Sequence, residues 1–173
     1  MKIVQNIVLI GMPSAGKSTI GVLLAKELGF SFLDTDLSLQ SHAGKRLFQI
    51  LDEIGKERFL ALEEEVIMRI HVSKTVIATG GSAVYSKKAM DHLKMNSLFI
   101  YLKVEPEELV KRLGNMVKRG IAISEGQTIE DLFEERRPFY EKYADITIEW
   151  EKGNGLNAIL NKMIYALQAF ISS

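Results

Sequence analysis

The segment GMPSAGKST, Gly11 to Thr19, constrains this chain more than any other stretch of it. It satisfies G-x-x-x-x-G-K-[ST]. A β-branched apolar run, Ile3 to Ile10, precedes it, and a helical pattern from Ser18 to Leu28, closed by Gly29, follows. Gly11 and Gly16 let the backbone turn tightly enough for successive amide N–H groups to face a bound anion. The next helix adds the positive end of its dipole. Lys17 would bring a full charge to the β- and γ-phosphates of a nucleoside triphosphate, and Ser18 a hydroxyl to Mg²⁺. Ser14, Ala15 and Thr19 complete the ATP-binding loop. The alternative is a glycine-bearing turn with an incidental lysine, and the flanking strand and helix weigh against it.

The remaining pattern alternates short apolar runs with longer helical ones. Strands are expected at 30–33, 75–78, 98–102 and 146–150, with helices at 46–54, 56–71, 86–95, 106–113, 128–143 and 156–171. Ser86 reads as a helix N-cap, and Thr128 with Asp131 as a capping box. Strands separated by helices imply right-handed crossovers and a mostly parallel sheet, a three-layer α/β/α fold. Residues 114–127 carry three glycines and basic residues without clear periodicity and read as a mobile loop. At 173 residues the chain suits one domain.

Composition narrows the function. Lys+Arg and Asp+Glu are equal at 22 each, which argues against a nucleic-acid binder relying on a broad basic field. The absence of cysteine excludes thiolate nucleophiles and Cys-based metal centres. His42, His71 and His92 fall on three different expected helices, which disfavours a histidine metal site. No apolar run approaches the ~20 residues of a membrane span, and no signal peptide is evident, so a cytoplasmic protein is expected.

The sequence LDTD places Asp34 and Asp36 at the carboxyl end of the second expected strand, where ligands of open α/β sheets bind. A period of two would put both side chains on one face. One carboxylate could hold a metal through water and the other orient or deprotonate a substrate hydroxyl. Asp36 could also simply N-cap the following helix, and the two roles are compatible.

With these residues, the chain resembles the shikimate kinases, within the nucleoside-monophosphate-kinase-like P-loop phosphotransferases. The resemblance rests on GMPSAGKST, the DTD at 34–36, ATGGSAV from Ala78 and ERRPFYEKYAD from Glu135. It implies a five-stranded parallel sheet in the order 2-3-1-4-5, a substrate-binding region at about 35–62 and a lid at about 113–127. It also implies ATP and a small hydroxylated substrate as ligands, Mg²⁺ as cofactor, and a monomer. By the same resemblance Asp36 is the substrate-hydroxyl ligand and candidate base, and Asp34 a metal-water ligand. Gly80 and Gly81 give backbone amides to the substrate, Arg136 pairs with its carboxylate, Arg112 packs on adenine, and Arg119 closes over the phosphates. Solvated helix arginines are the plainer reading of Arg136 and Arg112.

The departures fall mainly in the acceptor half. Where the family reads G-E-x-x-F-R-x-x-E, this chain has GKERFLALE, so Leu60 fills an arginine slot in the substrate site. Arg58 would point about 200° away on a helix and cannot substitute. Losing one charge-assisted bond of ~1.5–3 kcal/mol implies roughly 10- to 150-fold weaker carboxylate binding. Ser82 replaces a third glycine, Arg119-Gly120-Ile121-Ala122 replaces R-P-L-L in the lid, and the usual adenine-loop proline is missing from IEWEKGNG. Three functions stay open: phosphorylation of shikimate, phosphorylation of another small alcohol or hydroxy acid, and nucleotide binding without transfer. Trp150 and Phe59 read as packing residues, Phe59 with a possible face to the acceptor pocket. The glutamates from Glu63 to Glu65 read as the solvated side of a helix, with Glu63 a candidate brace for nearby cations.

Overall fold

A computed structural model describes residues 4–113, 120–151 and 153–172. The elements in order are β1 (Asn6–Ile10), α1 (Lys17–Leu28), β2 (Ser31–Asp34), α2 (Thr35–Ala43), α3 (Leu47–Met68), β3 (Thr75–Ala78) and a 3₁₀ turn (Ala83–Tyr85). Then come α4 (Lys87–Lys94), β4 (Ser97–Lys103), α5 (Pro106–Leu113), α6 (Ile129–Tyr143), β5 (Ile146–Glu149) and α7 (Leu156–Ser172). The five strands form one parallel sheet in the order β2-β3-β1-β4-β5.

Every residue of β1 and β3 is buried, which a parallel sheet requires when helices cover both faces. Ile7 pairs with Val76 on one side and Leu98 on the other, so the central strands meet along continuous rows of branched side chains. Phe99, Ile100 and Leu102 extend this core, and α1 and α7 pack against each other beside it. A smaller apolar cluster of Leu39, Ile50, Phe59, Val66 and Ala122 ties α2 and α3 to the segment that precedes α6.

Several boundaries follow from local chemistry. The Ser86 hydroxyl accepts from the Ala89 amide at 3.0 Å, and Thr128 and Asp131 exchange reciprocal bonds of 3.1 and 3.0 Å. Gly55 breaks α3 with a φ of 77°, where the sequence already separates two helical patterns. One expectation is overturned: β2 ends at Asp34, and Asp36 sits in the first turn of α2 rather than two places along a strand. Asp34, not Asp36, caps that helix, its Oδ1 accepting from the amides of Asp36 (2.9 Å) and Leu37 (3.3 Å). A second correction concerns the histidines. His71 lies beyond the end of α3, and its ring meets that of His92 edge-on at 5.2 Å. No group of three or more metal-binding side chains occurs among the described residues, and no helix among them is long and apolar enough to cross a membrane.

Gly11 shows how tightly the sheet edge and loop are joined. Its φ is +145°, and a Cβ there would lie 2.6 Å from the backbone oxygen of Leu102, which has no freedom to move aside. Gly44 also has a positive φ, of +65°, but faces open space. Gly44→Ala therefore should cost about 1 kcal/mol and Gly11→Ala at least twice that, adding steric overlap to the strain. Urea unfolding of the two variants tests the order.

Candidate active site

The loop between β1 and α1 carries the site. Ser14 holds a φ of 63° and Gly16 one of 95°, a path that brings the amides of the loop and the first turn of α1 to the same concavity. No side chain caps α1, and its first turn has no acidic residue, so its positive end is left for a ligand. Lys17 is 7% exposed, and its Nζ donates to the carbonyls of Gly11 and Met12, both at 2.7 Å. Burial lowers its pKa to about 8, with Asp36 the strongest opposing charge, so it remains largely ionised at neutral pH.

The Ser18 hydroxyl donates to Asp34 Oδ2 at 2.6 Å. Because Oδ1 of Asp34 is committed to capping α2, this carboxylate is fixed toward Ser18. A hydroxyl and a carboxylate side by side beside the phosphate loop form a hard-oxygen donor set suited to Mg²⁺. Asp36 lies on the inner face of α2, and burial pushes its carboxyl up to about 6, the charge of Asp34 adding to the effect and Lys17 opposing it.

The loop after β3 completes the floor. A Cβ on Gly80 would come within 2.5 Å of Glu63 Oε1 and 2.7 Å of Asp36 Oδ1, so the missing side chain is what lets two carboxylates approach this turn. The Gly80 amide donates to Thr35 Oγ1 at 3.0 Å. That bond ties the turn after β3 to the start of α2. A Cβ on Gly81 would overlap Pro13 at 2.6 Å and Arg136 Nη1 at 2.9 Å.

Arg136 is 1% exposed, which overturns the reading of a solvated helix arginine. Its Nε donates to the Tyr85 hydroxyl at 3.1 Å and its Nη2 to the Ala122 carbonyl at 2.8 Å. One helical turn on, the Tyr140 hydroxyl donates to the Gly81 carbonyl at 2.7 Å, so the inner face of α6 is clamped to this turn. Among the described residues no carboxylate pairs with either Lys17 or Arg136 within 4.0 Å.

These groups line one cavity of about 500 Å³. Gly16, Ser18, Thr19 and Arg112 border it at the loop, and Asp36, Phe59, Gly81 and Arg136 lie among its other walls. Gly120, Ile121 and Ala122 add part of the wall, whereas Arg119 lies outside the described residues. Leu60 is placed differently from the expectation of a substrate contact. It lines a smaller adjoining cavity of about 220 Å³ with Glu63 and Tyr85, and Ser82 borders both cavities. Arg58 is exposed, as its helical position requires.

Glu63 was the residue least visible in the sequence. It is 4% exposed, not solvated, and its Oε2 accepts from the Ser82 hydroxyl at 2.7 Å while Oε1 has no hydrogen-bond partner. Burial pushes its carboxyl up to about 7, the Ser82 hydrogen bond pulling it partly back. The available signal was spacing: Glu63 follows the apolar Phe59 by four residues and so shares its inward face.

An acid whose folded pKa is raised holds its proton more tightly in the native state. Its stabilising contribution is complete below the ordinary value of 4.5 and is lost as pH rises through about 7. Glu63→Gln removes that dependence. Its stability relative to the parent should therefore improve between pH 5 and pH 8 by up to roughly 3 kcal/mol. Urea midpoints of both proteins at the two pH values measure it, and a pH-independent difference would contradict the assignment.

Known proteins resemble this chain in sequence and fold. The shikimate kinase family model matches residues 13–168. A shikimate kinase from Moorella thermoacetica is 36% identical over 170 residues, covering 97% of each chain. One from Thiobacillus denitrificans is 36% identical over 149 residues, 84% of this chain and 81% of that protein. Among solved structures, the shikimate kinase from Acinetobacter baumannii in complex with shikimate superposes with a TM-score of 0.82 at 28% identity, covering 98% of this chain and 94% of that one. The Aquifex aeolicus enzyme gives 0.80 at 28% identity over 96% and 98%. With the phosphate loop, the sheet order and the flanking carboxylates in place, the chain belongs to the shikimate kinase family of ATP-dependent small-molecule kinases.

Proposed function

We propose that this protein transfers the γ-phosphoryl group of Mg·ATP to a ring hydroxyl of shikimate. One observation carries the reading: a buried arginine, with no acidic partner within 4.0 Å among the described residues, faces the same cavity as the partly buried Asp36, next to an uncapped phosphate loop. Arg136 is arranged to take the acceptor's carboxylate, and Asp36 to take the hydroxyl that is phosphorylated. A carboxyl titrating near 6 is mostly ionised at neutral pH yet basic enough to accept a proton as the oxygen attacks. Lys17 and the loop amides gather the charge on the transferring group, so most of the rate comes from positioning and electrostatics. Ser18 and Asp34 would hold Mg²⁺, which neutralises charge on the β- and γ-phosphate oxygens.

In this reading residues 35–62 bind the acceptor, and 113–127 form a lid whose Arg119 closes over the phosphates. The described part of that lid supports the role. Gly120 packs so closely on the backbone of Leu47 and Phe48 that a Cβ would lie 2.5 Å from the Phe48 amide nitrogen. The Lys56 ammonium also donates to Ser124 Oγ at 3.0 Å. The enzyme would work as a cytoplasmic monomer.

A second reading keeps the reaction and changes the acceptor to another small hydroxy acid. The observation favouring it is that Leu60 places no second cation beside Arg136.

Shikimate-dependent release of ADP tests the proposal, and no acceleration even at millimolar shikimate would reject that acceptor. Asp36→Asn should lower kcat roughly 10²- to 10⁴-fold. Arg136→Met should raise the KM for shikimate roughly 10- to 150-fold while leaving the KM for ATP nearly unchanged. Leu60→Arg decides between acceptors: better activity on shikimate at no cost to any other acceptor supports the first reading, and loss of the native activity supports the second.

A further inference from the structure

We propose that Tyr85 is a positioning residue for the acceptor: by bridging Glu135 and Arg136, it turns the guanidinium so that its end-on fork meets the acceptor's carboxylate. The inference rests on the reading that Arg136 binds that carboxylate.

Tyr85 ends the 3₁₀ turn that follows β3, and three side chains of α6 surround it. Its ring meets that of Phe139 edge-on at 5.7 Å, and Arg136 Cζ lies 5.1 Å from its centroid. The phenol donates to Glu135 Oε1 and accepts from Arg136 Nε at 3.1 Å. A phenol has a single proton, so giving it to Glu135 leaves oxygen lone pairs for Arg136. Glu135 is steadied in turn, its Oε2 accepting from Gln127 Nε2 at 2.6 Å. Gln127 is itself held, its Oε1 accepting from the Ser124 amide at 3.2 Å.

The protonation states suit such a bridge. Burial and then the bond to Glu135 push the Tyr85 phenol up, and the same bond holds the Glu135 carboxyl below its ordinary value. At neutral pH the three groups are therefore carboxylate, neutral phenol and guanidinium. The bridge orients Arg136 while keeping the carboxylate one side chain away from it.

The consequence is geometric. A guanidinium offers a carboxylate two forks, a side-on one from Nε and Nη2 and an end-on one from its two terminal nitrogens. Here Nε goes to Tyr85 and Nη2 donates to the Ala122 carbonyl at 2.8 Å, so the side-on fork is occupied. Nη1 lies beside Gly81, where a Cβ would come within 2.9 Å of it. Gly81 and Arg136 both line the main cavity, so the end-on fork is the one an acceptor reaches. Without the phenol oxygen, Nε loses its partner and the fork loses its fixed direction.

Tyr85→Phe removes one oxygen and keeps the ring that meets Phe139. It should raise the KM for shikimate roughly 3- to 10-fold while kcat and the KM for ATP stay within about twofold. In an Arg136→Met background the same change should move the shikimate KM less than about twofold, because the phenol acts only through that arginine. An unchanged shikimate KM in Tyr85→Phe would overturn the proposal. So would KM values for shikimate and ATP that rise together, the signature of lost packing, or two substitutions whose effects simply multiply. If Arg136→Met does not fold, the uncharged carboxamide of shikimate serves as the second probe. The loss caused by Tyr85→Phe should shrink on that analogue, and an equal loss on both acceptors overturns the proposal. Arg136→Met with an unchanged shikimate KM, by contrast, overturns the carboxylate reading of Arg136 and this inference with it.

Discussion

Two buried cations, Lys17 and Arg136, with no acidic partner within 4.0 Å among the described residues, set the terms for the rest of this structure. A desolvated ammonium or guanidinium is unfavourable unless hydrogen bonds replace the water it has lost. Lys17 recovers them from the Gly11 and Met12 carbonyls, and Arg136 from Tyr85 and the Ala122 carbonyl. Carbonyl and hydroxyl dipoles compensate a positive charge without neutralising it. Both groups therefore remain able to take an anion, and both line the same cavity. The unusual backbone of the loop, with Gly11, Ser14 and Gly16 all at positive φ, serves this arrangement by placing carbonyls behind the lysine and amides in front of it.

The departures of this chain from its family make sense together once Glu63 is placed. The family motif has an arginine three residues before this glutamate, and here that position is Leu60. A buried carboxylate left with no partner would be costly. Ser82, standing where the family has a glycine, supplies a hydroxyl to Glu63 at 2.7 Å, and Leu60 and Ser82 border the same small cavity. Leu60 brings no cation to this corner, and Ser82 provides a neutral donor. Compensation is incomplete, since Oε1 remains without a bond and the carboxyl is pushed toward neutrality.

Local rules with strong chemistry were legible in the sequence. The phosphate loop, the Ser86 cap, the Thr128–Asp131 capping box and the break at Gly55 each depend on a few adjacent residues, and each is where the pattern puts it. The order of strands follows from the family resemblance, since alternation alone gives parallel strands but not their sequence across the sheet. Failures came where long-range packing decides. LDTD reads as a strand continuing to Asp36 because period two fits it, yet the Asp34 side chain satisfies two free amides and starts a helix one residue later. The Gly80 amide donates to a threonine 45 residues earlier in the chain, a bond the local sequence does not announce. His71 and His92 are 21 positions apart in the chain and edge-on in space, a contact that no local spacing encodes. Arg119 remains untested, lying outside the described residues.

The glycines of the site show a division of labour that composition alone hides. Gly11 is demanded by backbone, since only a residue without Cβ clears the Leu102 carbonyl at that φ. Gly80 and Gly81 have no positive φ and are demanded by side chains: one leaves space for Asp36 and Glu63, the other for Pro13 and Arg136. Any larger residue there would displace an ionisable group rather than strain the chain. Gly16 belongs to both classes, with a φ of +95° and the indole of Trp150 at 2.9 Å from its missing Cβ. It couples the phosphate-binding turn to the aromatic surface beside it, so the residue that lets the loop wrap an anion also lets a ring approach from the other side. At this one position neither the backbone nor the packing tolerates a side chain.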